Sequence, residues 1–121
     1  MPRYLFQAAY TAESWATQVK SQPNPIDRVR PLIEACGGRL DSFFYCFGDY
    51  DIVLITDMPS DDSAAAVALA AAAGGSLRAF QTTRLLTVEE GMEAMRTAQE
   101  AGRVYSPPVP GGLPHQASSR A

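Results

Sequence analysis

The sequence predicts an α+β fold: a four-stranded antiparallel sheet formed in the order strand, helix, strand, strand, helix, strand, with one further helix behind it. Two observations carry this. Residues 43–55 hold two apolar runs on either side of Gly48-Asp49, a two-residue hairpin loop in which Gly supplies the positive φ of a II′ turn. Before and after that hairpin, apolar residues recur at helical spacing between polar caps and Gly or Pro stops. Two right-handed crossovers on an antiparallel sheet make a ferredoxin-like βαββαβ sandwich.

The hairpin loop sets a register. Phe47 opposes Tyr50, Cys46 opposes Asp51, Tyr45 opposes Ile52, Phe44 opposes Val53 and Phe43 opposes Leu54, and opposed residues share a face. One face then carries Phe43, Tyr45, Phe47, Tyr50, Ile52 and Leu54. The other carries Ser42, Phe44, Cys46, Asp51, Val53 and Ile55.

The first strand is expected over residues 4–10, aromatic on one face. Thr11 caps a short helix that turns Ala12, Trp15, Ala16 and Val19 to one side. Asn24 as N-cap and Pro25 at the first helical position open a second helix, with Asp27 near the positive end of its dipole. Its stripe is Ile26, Val29, Leu32, Ile33 and Cys36, its stop is Gly37-Gly38, and Pro31 predicts a kink within it. Residues 39–47 and 50–58 are the hairpin strands. Ser60, Asp61 and Asp62 open an alanine-rich helix over residues 64–73, suited to close packing on the sheet. Residues 76–86 form the fourth strand, and Thr87 with Glu89 and Glu90 starts a last helix striped by Val88, Met92 and Met95. From residue 103 the Pro- and Gly-rich composition predicts a flexible tail behind a domain of residues 1–102.

Two helices cover one side of such a sheet, yet the hairpin is apolar on both. An uncovered apolar face marks an interaction surface, so a homodimer packed face to face is expected, unless the trailing helix covers part of that face.

The 121 residues suit one domain. The net charge is −3 and the ten Lys and Arg are scattered, which argues against nucleic acid as a partner. No apolar run approaches the length of a membrane span, and no secretory n- and h-region opens the chain, so a cytoplasmic protein is expected. Cys36 and Cys46 form no CxxC and fit reduced thiols better than a disulfide.

In order along the chain, residues 4–11, Gly37-Gly38, Gly48-x-Tyr50-Asp51-x-Val53, Pro59-x-Asp61-Asp62, Ala70 among alanines and Thr82-x-Arg84-x-x-Thr87 resemble the GYD domain family. The resemblance covers roughly residues 3–90. It implies a small bacterial domain of ferredoxin-like, dimeric α/β-barrel type with no settled biochemical role. The chain departs from the family pattern at Ser14-Trp15, where a glycine is common, and at residues 22–28, where the linker is longer.

Chemistry is sparse. The single histidine, His115, lies in the tail, which leaves no metal site and no His-based acid–base pair to expect. The paired glycines follow helices rather than opening them, so no phosphate cradle and no cofactor are expected. Asp51 is the leading candidate for a ligand-binding residue. A carboxylate among apolar neighbours must be paired, hydrogen-bonded or shifted in pKa. It either accepts from backbone N–H groups or pairs with an arginine such as Arg84, or it serves as a polar anchor or general base within an apolar cavity, or it is simply exposed to solvent. Tyr50, Gln7 and Arg84 are the remaining candidates: a hydroxyl, an amide and an anion anchor or salt-bridge partner. Three function classes follow. The first is a small-molecule-binding or regulatory dimer taking an apolar or aromatic compound. The others are a cofactor-independent enzyme such as a monooxygenase or isomerase, by fold analogy, and a structural or protein-binding module.

Overall fold

In a computed structural model, residues 1–110 are described. His115 and the end of the expected tail lie outside the described residues. The chain forms two compact units, Met1–Leu85 and a second that begins at Leu86. The first unit contains β1 (Arg3–Tyr10), α1 (Ala12–Ser21), α2 (Pro25–Ala35), β2 (Arg39–Tyr45), β3 (Ile52–Asp57), α3 (Asp61–Ala73) and β4 (Leu77–Leu85). The four strands form one sheet in the order β2-β3-β1-β4, all pairs antiparallel. This is the ferredoxin-like arrangement expected from the element order.

The core lies between the sheet and the helices. Tyr4, Phe6, Ala8 and Tyr10 of β1 alternate into it, joined by Ile52 and Leu54 of β3, Ile33 of α2, and Ala64 and Val67 of α3, the period-two and helical patterns that the sequence carries. Asn24 caps α2 by accepting from Ile26 N at 3.0 Å, and one helix runs through Pro31. α1 departs from expectation. Thr11 caps it, accepting from Ser14 N at 3.1 Å, but no residue of α1 is buried and Val19 is 67% exposed. Only Trp15 of its expected stripe packs against the core.

The hairpin keeps its register but not its loop. Tyr45 opposes Ile52, Phe44 opposes Val53 and Phe43 opposes Leu54, while the ladder stops there and residues 46–51 form a wider connection. Gly48 sits at φ +140°, well beyond the angle of a II′ turn. One bond, Cys46 N to Asp51 O at 2.8 Å, holds the neck. Where the ladder ends, strict alternation ends, and this redirects Tyr50 and Asp51.

At the other end of β2, Gly37 has φ +84° and Gly38 runs hard against β3. A Cβ on Gly38 would lie 2.4 Å from Met58 Sδ and 2.7 Å from the Asp57 carbonyl oxygen. The two glycines expected as a helix stop therefore also admit β2 to the sheet.

In the second unit, α4 (Val88–Ala101) begins with a capping box. Thr87 Oγ1 accepts from Glu90 N at 3.0 Å and Glu90 Oε1 accepts from Thr87 N at 2.9 Å. No helix of the described residues is long and apolar enough to cross a membrane. Cys36 and Cys46 are free thiols.

Candidate functional site

Asp51 lies just before β3 and serves as a latch. Its Oδ2 accepts from Tyr10 N at 2.8 Å and from Trp15 Nε1 at 3.1 Å, and its own N–H donates to Ala8 O at 2.8 Å. The hairpin neck is thereby tied to the end of β1 and the start of α1. Of the alternatives open in the sequence, the structure shows acceptance from a backbone N–H, joined by the indole.

Arg84 stands at the opposite end of β1. It opposes Tyr4 on β4, and its Nε lies 3.8 Å from Asp61 Oδ1. The Tyr4 hydroxyl donates to the same carboxylate. Burial first, and then the Asp61 carboxylate, hold the Tyr4 phenol above its usual pKa. Asp61, expected as a helix-opening residue, thus also gathers a phenol and an arginine. Close by, Asp57 is buried and accepts from Arg3 Nε at 3.0 Å and from Arg39 Nη2. The hydrogen bond from Arg3 is the main reason that its carboxyl titrates below the usual range.

Tyr50 and Gln7 are both neighbours of Gln81, on the sheet face turned away from the core. Gln7 opposes Gln81 across β1 and β4, and the Tyr50 hydroxyl donates to Gln81 Oε1 at 2.8 Å. The alternation of a tight hairpin puts Tyr50 beside Ile52 and Leu54; the wider loop carries it to the opposite face.

None of these four residues lines the apolar chamber beneath the helices, while Arg84 lines a separate open pocket of about 440 Å³ together with Tyr4, Asp61 and Thr82. That chamber, of about 240 Å³, lies inside the first unit between the sheet and α2 and α3. Phe6, Ala8, Leu54 and Phe80 form its floor, and Val29, Leu32, Val67 and Ala71 its walls. It exists because α3 and its C-cap present Ala70, Ala71 and Gly74 where larger side chains would fill the space. The polar groups gather at its mouth. Tyr10, Arg28, Gly74 and Ser76 line both the chamber and an open vestibule of about 370 Å³, whose outer wall includes Glu13, Ser14, Thr17 and Gln18. Arg28 Nη2 donates to the Tyr10 hydroxyl at 3.1 Å and to Gln18 Oε1 at 3.3 Å. Burial raises the Tyr10 pKa, against an opposing pull from Arg28, so its hydroxyl keeps its proton at neutral pH.

An apolar pocket with a few convergent polar groups is the form a small-molecule site takes. Sequence reasoning missed both mouth residues. Tyr10 counts there as one aromatic of a strand, and Arg28 stands beside Val29 just off the apolar stripe of α2. The available signal was the run of alanines on α3, interrupted by Val67 and Leu69, which admits close packing and a void equally well. Among the described residues, no group of three or more His, Cys, Asp or Glu is placed to hold a metal ion.

Solved structures share this fold at low sequence identity. MtbAldR matches with a TM-score of 0.54 and 12% identity over 71% of this chain and 52% of that one, so the chain spans about half of that protein. The 30S ribosomal protein S6 from Thermotoga maritima matches with a TM-score of 0.53 and 14% identity, covering 81% of this chain and 97% of that one. At such identities the likeness concerns the fold. No curated protein matches the chain. The sequence itself matches the GYD domain over residues 4–95, the greater part of its length, and the chain belongs to the GYD domain family.

Proposed function

We propose that this GYD domain protein is a cytoplasmic, ligand-binding regulatory dimer that takes a small apolar or aromatic molecule into the chamber beneath α2 and α3. The observation that carries this reading is the chamber itself, about 240 Å³ with apolar walls and its polar groups confined to one mouth. An apolar cavity of about 150 Å³ accepts a benzene ring, so this one has room for a single ring with a short substituent.

Ala71 lies on the chamber wall, and Ala71→Leu fills the space with little change to the helix. Toluene added at about ten times its Kd should raise the Tm of the native protein by about 4–8 °C. The same addition should leave the Ala71→Leu variant within about 1 °C of its ligand-free value. Equal shifts in the two proteins, or none in either, refute the reading.

Self-association is supported by the second sheet face. Leu5, Val53 and Ile55 lie on it away from the core, and Phe44 beside them is 59% exposed. Apolar surface of this kind favours burial against a second copy. Sedimentation at micromolar concentration should return a dimer, and a well-folded monomer under those conditions removes the second copy from the proposal.

A further inference from the structure

The chamber mouth carries a guanidinium, that of Arg28, with no ion-pair partner among the described residues. It bonds to a phenol oxygen and an amide oxygen, both uncharged. Arg3, Arg39 and Arg84 of the same unit each lie within ion-pair distance of an aspartate; among the described residues Arg30 and Arg78, like Arg28, do not, but neither of them lines the chamber. Both bonds of Arg28 leave from one nitrogen. A guanidinium carries five donors in a planar fork that matches a carboxylate, so Nε and Nη1 remain. The Tyr10 oxygen accepts from Arg28, which leaves its own proton to donate elsewhere. Arg28 lies where apolar chamber meets polar vestibule, whereas Glu13, the carboxylate of this region, lines the vestibule alone.

Resting on the reading of the chamber as a ligand site, we propose that the ligand is a small amphipathic carboxylic acid. Its single ring or short chain occupies the chamber, and its carboxylate lies at the mouth on Arg28, with the Tyr10 hydroxyl as a second donor. A hydrocarbon fills the walls equally well but leaves the guanidinium without a counter-charge. An amine of the same skeleton brings a second cation to Arg28.

Phenylacetate, phenylethanol and phenethylamine separate these cases on nearly one skeleton, with toluene as the probe of the chamber alone. Trp15, the single tryptophan of the chain, stacks edge-on to Tyr10 with ring centroids 5.2 Å apart. Its fluorescence reports occupancy of the mouth, with calorimetry as an independent measure. Phenylacetate should bind at least about tenfold more tightly than phenylethanol, and phenethylamine most weakly of the three. Arg28→Gln should bring acid and alcohol to about equal affinity, with toluene binding to the same variant as the measure of what the substitution does to the chamber itself. Arg28→Lys, which keeps the charge but loses the fork, should fall between. Toluene binding without preference for the acid, or a preference that survives Arg28→Gln, overturns the inference and leaves the chamber reading standing. Binding of neither toluene nor phenylacetate overturns both.

Discussion

The two ends of β1 use arginine in opposite ways. At the Arg3 end, guanidinium and carboxylate meet repeatedly: Asp57 accepts from Arg3 and Arg39, Arg3 also reaches Asp41 at 3.3 Å, and Asp61 lies beside Arg84. At the Tyr10 end the carboxylate and the cation are kept apart. Asp51 is committed to Tyr10 N and the Trp15 indole, while Arg28 turns to neutral oxygens at the rim of a cavity. The first end is closed electrostatically and serves stability. The second spends its carboxylate on holding the backbone and leaves its arginine available.

Three substitutions test that contrast, beginning with the largest effect on stability. Asp51→Ala strands the Tyr10 N–H and the Trp15 N–H at once, and should lower unfolding free energy in denaturant titrations by about 3 kcal/mol. A loss below about 1 kcal/mol would mean that the latch is not what holds the hairpin neck. Asp57→Asn should cost about 2 kcal/mol at neutral pH through its bonds to Arg3 and Arg39, with ligand binding at the distant chamber unchanged. Its pH dependence has a definite sign. The folded pKa is depressed below the unfolded value, so this stabilisation is complete above the ordinary carboxylate range and disappears as pH falls through the folded value. Native and Asp57→Asn stabilities should therefore converge in acid, and a constant gap down to about pH 2 would exclude the ion pairs as its source. Arg28→Gln should shift unfolding free energy by no more than about 0.5 kcal/mol, as an exposed side chain outside any ion pair. A loss comparable to that of Asp57→Asn would make the two ends alike.

The register of the hairpin is legible in the sequence because alternation and turn position agree, and it survives a loop wider than a two-residue turn: Ile52 and Leu54 of β3 must face the core, and Tyr45 and Phe43 pair with them although Phe44 and Tyr45 themselves stay exposed. The order of elements along the chain and the caps Thr11, Asn24 and Thr87 are local and equally readable. Asp51 is readable as a carboxylate that needs partners. Its partners are not, because the Trp15 indole arrives from 36 residues away through the packing of α1. The mouth of the chamber lies further out of reach. Arg28 and Tyr10 are separated by a loop and a helix, and a void is a property of what several elements fail to fill. α1 shows the converse, with helical spacing of apolar residues overstating a stripe of which only Trp15 packs on the core.

The tight passage at Gly38 has a consequence for how this fold tolerates change. β2 is an edge strand paired on one side to β3, and the first pair of that ladder, Arg39 with Asp57, begins one residue beyond the point where Gly38 abuts Met58 and the Asp57 carbonyl. Even a methyl group there would wedge the strand outward at its first rung, drawing Arg39 from Asp57 and loosening the outermost ribbon like a zip opened from its lower stop. Variation along this border is thus tightly limited at a position that bears no side chain at all.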